Sequence, residues 1–196
     1  MPDPFVRWYV AGAGLPALVA RLRRAGLALD APGAPGTVSV LDAEGDRVPT
    51  GHAEFEACLR SPETGALTFQ LWFSGSEDLV LSWSLLRDAT GNRARHCVVA
   101  FLDGLSVPQA DAVVAAVEET SVASPADTVA LVVDLGGRTA EVDWLAVLDA
   151  PDQAPWVDRL VVDQRLLDGA SASSWDRDRP AVGLATRRDA PSGGSH

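Results

Sequence analysis

The strongest constraint on the fold lies between Thr37 and Asp103, where apolar and polar residues alternate in successive short runs. Val38 and Val40 alternate with Thr37 and Ser39. Ala53, Phe55, Ala57 and Leu59 alternate with His52, Glu54, Glu56 and Cys58. Leu67, Phe69, Leu71 and Phe73 alternate with Thr68, Gln70, Trp72 and Ser74, and Leu79, Leu81, Trp83 and Leu85 with Val80, Ser82, Ser84 and Leu86. A last run, His96–Asp103, is apolar on both faces. Side chains of a strand point alternately to opposite faces, so this period describes ribbons with one buried side and one open side. The connections at 43–46, 61–65, 74–78 and 88–92 are too short for a parallel crossover, which needs a dozen or more residues. The stretch therefore reads as an antiparallel meander of four or five strands.

The flanks read differently. Residues 5–11 (FVRWYVA) alternate as a strand, whereas over 15–29 Leu15, Leu18, Val19, Leu22 and Leu29 fall on one helical face. Pro16 suits a first helical turn, and 31–36 (APGAPG) is a loop by composition. A second helix opens at Ser106-Val107-Pro108-Gln109, a capping-box spacing, carries Ala110, Val113, Val114 and Val117 on one stripe, and ends before Ser124-Pro125. Residues 128–135 (TVALVVDL) form a buried strand. The stretch 139–149 reads as a strand or a short helix, and 156–168 as a helix or a strand. From Gly169 the composition is that of a disordered polar tail. The expected fold class is α+β: an antiparallel meander sheet of about five to seven strands with two helices packed on one face, a two-layer sandwich. The expected organisation is one domain over 1–168 and a tail over 169–196.

Gly12-Ala13-Gly14-Leu15-Pro16-Ala17, between a strand and a helix, is spaced like the glycine turn that cradles a dinucleotide pyrophosphate. That site also needs a parallel second strand ending in an acid about 20 residues on. Here an antiparallel pattern follows instead, and Pro16 removes an N–H from the turn. The glycines are expected to serve only the start of a helix.

Other chemistry is sparse. Histidine occurs three times, at His52, His96 and His196. His96 and Cys97 are neighbours in a strand and so point to opposite faces; a cross-strand meeting of His96 with Cys58 is the remaining arrangement for a nucleophile and base. Nine carboxylates stand between Asp127 and Asp168 against three arginines, without a calcium-loop pattern. Trp72, with Gln70, sits on the polar side of its ribbon, where an aromatic side chain is a candidate contact for a partner; the alternative is that 139–168 or the tail folds over it. No cofactor, metal or catalytic residue is assigned.

The chain of 196 residues carries a formal charge of −11, and all sixteen of its basic residues are arginine. Phosphate would be repelled by such a surface, which argues against nucleic acid and anionic membranes. Two cysteines do not make a disulfide framework, and MPDPFVRWYV lacks the pattern of a signal peptide, so a cytoplasmic setting is expected. The leading expectation is a non-catalytic protein-binding domain of inhibitor or immunity type. It would engage a protein, basic by charge complementarity, through Trp72, Gln70, Asp134, Glu141 and Asp143. The alternatives are a small-molecule-binding or enzymatic domain with a pocket between sheet and helix, near His96, Cys97 or Asp103, and a self-assembling subunit paired through edge strands.

Overall fold

The computed structural model describes residues 3–12, 14–60, 65–87, 94–167, 175–176 and 184–187. Ten strands form one sheet: β1 (Phe5–Val10), β2 (Thr37–Leu41), β3 (Arg47–Gly51), β4 (Ala66–Trp72), β5 (Asp78–Arg87), β6 (Ala94–Phe101), β7 (Thr128–Asp134), β8 (Arg159–Asp163), β9 (Trp175–Asp176) and β10 (Leu184–Arg187). Their order is β3-β2-β4-β5-β6-β1-β7-β8-β10-β9, and every pairing is antiparallel. The helices are α1 (Leu15–Arg24), α2 (His52–Arg60), α3 (Val107–Ala123) and the single turn α4 (Trp144–Val147). The α+β class and the antiparallel sheet hold, but the sheet is larger than the expected five to seven strands and the helices exceed two.

The spatial order departs from the chain order most at the centre. β1 leaves its sequence neighbours and inserts between β6 and β7. Its composition allows this, because Val6, Trp8 and Val10 enter one apolar cluster while Phe5 and Tyr9 enter another on the reverse face. A strand buried on both faces is stable only inside a sheet.

The expected strand over 53–59 is instead α2. Only Phe55 and Leu59, one helical turn apart, are buried; Ala53 and Ala57 are exposed. Alanine supplied the apparent alternation, and alanine favours helix. Phe55 packs edge-on against Phe69 of β4 with ring centroids 4.9 Å apart. The strand that does pair with β2 is β3, reached through a tight turn in which Asp42 Oδ1 accepts the N–H groups of Glu44 and Asp46. β3 is an edge strand bearing Pro49, which lacks an N–H and blunts the edge-to-edge pairing expected of a self-assembling subunit.

α1, α2 and α3 pack on one face, where Leu15, Leu18, Leu22, Phe55, Val113 and Val117 meet Phe69, Leu81, Val98 and Leu131 of the strands. Ion pairs Arg21–Glu119 and Arg159–Glu118 tie α3 to α1 and to β8. α3 opens as its sequence indicates: the N–H of Ser106 donates to Gln109 Oε1 at 2.8 Å. The reverse face is treated unequally. Over β1, β7, β8 and β10 it carries a second layer, in which Trp144, Leu148 and Leu167 cluster with Phe5, Ala130, Val132, Leu160 and Val162 of these strands and with Trp175 of the edge strand β9. The segment 139–149 supplies this layer as a short helix capped by Asp143, and 156–168 divides into β8 and a 3-10 turn, Gln164–Leu167. Within the stretch read as a tail, Trp175 is 1% exposed and Leu184–Arg187 pairs with β8, so these parts belong to the sheet; the rest of 169–196 lies outside the described residues.

The glycine turn is a packing device. Gly14 caps the start of α1, and a Cβ placed there would lie 2.9 Å from Cζ3 of Trp8, inside the indole's van der Waals envelope. The indole in turn donates from Nε1 to Thr128 Oγ1 at 3.2 Å, and that hydroxyl reaches the Ser121 and Ser124 carbonyls at the end of α3. One tryptophan thereby fixes α1, β1, α3 and β7. Gly14→Ala is expected to destabilise the fold by about 1–3 kcal/mol through overpacking, measured as a lower urea midpoint with an unchanged slope.

Candidate functional site

On the reverse face beyond the second layer, the described residues belong to β3, β2, β4 and β5, while on β6 and β1 Cys97, Phe5 and Tyr9 are buried in the cluster that includes Trp144. Register fixes which residues share it. One transverse row runs Arg47, Leu41, Thr68, Ser82, Val99, Arg7. The row beside it contains Pro49, Ser39, Gln70, Val80, Phe101 and Phe5, and Trp72 stands opposite Asp78 beyond that. Toward the other end lie Ser84, Cys97 and Tyr9, and then Leu86 and Arg95. Thr68, Val80, Ser82, Ser84, Leu86 and Val99 are half-buried, a mixed apolar and hydroxyl surface. Thr68 and Ser82 bond through their hydroxyls at 3.1 Å.

Trp72 lies on this reverse face, as its place in the alternation implies, but it is 5% exposed and does not project as a free aromatic anchor. Neither 139–168 nor the stretch after 168 accounts for its burial among the described residues. The chain after α1 pairs with its backbone, with Ala28 N–H donating to the Trp72 carbonyl at 2.7 Å and Trp72 N–H to the Ala28 carbonyl at 2.9 Å. The Arg47 guanidinium lies over the indole, 5.2 Å from its centroid. Trp72, Arg47, Ser39, Pro49, Pro32 and Asp78 contribute to the walls of a cavity of 410 Å³. Gln70 is buried beside it and donates from Nε2 to Asp78 Oδ2 at 2.5 Å; Gln70 Oε1 and Trp72 Nε1 are buried without partners. Gln70 and Trp72 are thus neighbours in one site, with Arg47 and Asp78 added. Neither addition is readable from periodicity: Arg47 belongs to β3, whose alternation is absent, and Asp78 opens β5 within a stretch that reads as a connection.

The carboxylates expected to meet a partner are elsewhere. Asp134, at the end of β7, is fully buried and unavailable at the surface, a correction to its expected role. Its Oδ2 accepts the N–H and the hydroxyl of Thr139, both at 2.7 Å, and its Oδ1 accepts the Gly136 N–H at 3.2 Å. Burial alone would raise its pKa, but these donors outweigh burial and hold it below the ordinary carboxylate range. Asp143 is exposed, yet its Oδ1 caps α4 by accepting from Leu145 and Ala146. Asp158 accepts the Leu135 N–H at 2.7 Å, and Asp163 accepts the Arg165 N–H at 2.9 Å. Glu141 is exposed. Much of the acidic third is therefore turn and cap chemistry, in which aspartate satisfies nearby backbone donors.

The residues proposed for catalysis do not converge. His96 faces the helix side and stacks on Trp83 with centroids 5.1 Å apart, burial holding its pKa below the usual value. Cys97 faces the reverse side against Tyr9, its pKa pushed up by burial to about 11. Cys58 is on α2, and Asp103 is exposed in the turn after β6. Among the described residues no cluster of three or more His, Cys, Asp or Glu could hold a metal. One arrangement has no local signature, its partners being 22 residues apart: His52 Nε2 bonds Asp30 Oδ1, while Gly36 N–H donates to Asp30 Oδ2 at 3.2 Å. That N–H, and then the imidazole, lowers the Asp30 pKa. The pair borders a cavity of 630 Å³ lined also by Arg23 and Arg24. No helix among the described residues is long and apolar enough to cross a membrane.

No protein-family model matches the chain, and neither a curated protein nor a solved structure matches it.

Asp134→Asn is expected to cost about 1–3 kcal/mol near neutral pH, since it exchanges a charged acceptor of three donors for an amide. A depressed carboxylate pKa contributes stability above about pH 4 that is lost as pH falls through the folded-state value. The gap between wild type and Asp134→Asn, read from urea midpoints, should therefore narrow as the pH is lowered below 4.

Proposed function

We propose that the protein is a non-catalytic binding domain, of inhibitor or immunity type, that seats a protein partner on the uncovered half of its reverse sheet face. The observation that carries this reading is the unequal coverage of that face. Among the described residues a second layer closes it over β1, β7, β8 and β10, whereas Leu41, Thr68, Val80, Ser82 and Ser84 of β2, β4 and β5 are half-buried hydroxyl and aliphatic side chains beside the Trp72 cavity. Mixed surfaces of this kind are ordinary interface material. Trp72 and Gln70 lie at the edge of the face, and Glu141 and Asp143 remain at the surface as charges that steer an approaching partner. The expectation of a basic partner rests on net charge alone. Asp134, Asp143, Asp158 and Asp163 already accept backbone donors.

The test is a bulky substitution in the middle of the face. Ser82→Trp should weaken capture of a partner from the source cell at least tenfold, whereas Glu54→Trp on α2 should leave it unchanged, both variants melting within a few degrees of wild type. Hydrogen exchange on the complex should show protection in β4, β5 and β6. Retention of the partner by Ser82→Trp, protection confined to the helix side, or no captured protein would each overturn the reading.

A second reading, a small-molecule or enzymatic site, is favoured by the Asp30–His52 pair beside Arg23 and Arg24. It expects millimolar inorganic phosphate to shift the His52 ring resonances in NMR titration. Unmoved resonances would remove it.

A further inference from the structure

The cavity beside Trp72 has an open rim and a buried floor. Pro32, Arg47 and Pro49 are exposed at the rim and Asp78 is half-buried there, while Ser39 and Trp72 are buried beneath. Its 410 Å³ falls among small-molecule sites, for which about 300–1,000 Å³ is usual. Register builds the walls. Pro49 stands opposite Ser39 and Trp72 opposite Asp78, so β3, β2, β4 and β5 each give a residue to one hollow at this corner of the sheet. Two proline rings and an indole make it partly apolar.

The charges of the hollow are unused. Arg47 forms no ion pair among the described residues, and its guanidinium rests over the Trp72 ring, 5.2 Å from the centroid. Asp78 forms no ion pair among them either; Gln70 Nε2 donates to its Oδ2 and leaves Oδ1. Below these charges a second pair of groups has the same polarity. Trp72 Nε1 is a donor buried without an acceptor, and Gln70 Oε1 an acceptor buried without a donor. Polar groups left in that condition are unfavourable for the free protein. Arg47 and the indole N–H call for a negative acceptor, Asp78 and the amide oxygen for a positive donor. A simple anion meets Asp78, a simple cation meets Arg47, and each leaves half of these groups unserved. A molecule with both charges serves all four.

We propose that the Trp72 cavity binds a small zwitterion, its carboxylate on Arg47 and the indole N–H, its ammonium on Asp78 and the Gln70 carbonyl oxygen. Arg47, exposed and without a carboxylate of its own, turns from the indole to the ligand and opens the way to the floor. Arginine suits this role because its planar fork takes a carboxylate through two parallel hydrogen bonds. An apolar side chain of the ligand lies among the indole, Pro32 and Pro49. Free α-amino acids and short peptides share this chemistry. The site does not depend on the partner reading, because the cavity lies at the edge of that face and fills whether or not a protein binds beside it.

The full chain is titrated with L-leucine, leucyl-leucine, N-acetyl-leucine and leucinamide. Binding is read by calorimetry and by the NMR resonance of the Trp72 indole N–H, identified by its loss in Trp72→Phe. Leucine or leucyl-leucine should bind and move that resonance, and the tighter of the two tells a free amino acid from a peptide as the source. N-acetyl-leucine, which lacks the ammonium, and leucinamide, which lacks the carboxylate, should bind at least tenfold more weakly. Arg47→Met should weaken the zwitterion tenfold or more without weakening leucinamide. Asp78→Asn should weaken the zwitterion likewise without weakening N-acetyl-leucine. Asparagine still accepts from Gln70 and Arg47 is exposed, so both variants should melt within a few degrees of wild type; Arg60→Met should bind as wild type does. No binding by either zwitterion, unchanged binding by either cavity variant, or binding that leaves the Trp72 resonance in place would overturn the proposal. So would N-acetyl-leucine binding as well as the zwitterion, which marks an anion site, or leucinamide doing so, which marks a cation site.

Discussion

The architecture depends on a first strand that is apolar on both sides. β1 pairs with β6 on one edge and β7 on the other, and so joins the hairpin-linked strands to the C-terminal ones. No other strand among the described residues makes that join. Its helix-side residues Val6, Trp8 and Val10 enter the larger core, and Phe5 and Tyr9 the smaller. Trp8 extends the constraint beyond the sheet by lying against Gly14 and bonding Thr128. The glycines that resemble a nucleotide turn are there because an indole occupies the space a side chain would need.

From this central strand the two halves of the reverse face diverge. Toward β7, strands such as TVALVVD are apolar on both sides and need cover, which Trp144, Leu148, Leu167 and Trp175 provide. Toward β4 and β5, the reverse side is Thr68, Ser82 and Ser84, which tolerate water. The uncovered half is thus a consequence of composition within strands, and the proposed partner site falls where the need for cover ends. Aspartates of the C-terminal third turn inward to backbone donors, as Asp134, Asp143 and Asp158 do.

Much of this was legible locally. Period-two runs located β2, β4 and β5, a run apolar on both faces located β6, and the Ser106–Gln109 spacing located the start of α3. Errors arose where one residue type satisfied two periods. In HAEFEACLR the alanines mimic alternation, while the spacing of Phe55 and Leu59 also fits a helix, and the helix wins because only those two need burial. The edge strand RVPTG escaped notice because Pro49 argues against a strand unless it stands at an edge, and edge position is a tertiary fact. The candidate site was half visible: Trp72 and Gln70 follow from alternation, whereas Arg47 and Asp78 join them only through register.

The sequence by itself determined the antiparallel class, the greasy side of β2, β4 and β5, the start of α1 and both ends of α3, because these depend on residues within a few positions of one another. Tertiary structure alone decided that β1 stands at the centre, that Asp134 is buried rather than displayed, and that Arg47 and Asp78 stand beside Trp72. Those outcomes depend on which strands become neighbours across long stretches of chain, and hydrophobic periodicity carries no information about the partner a strand will choose.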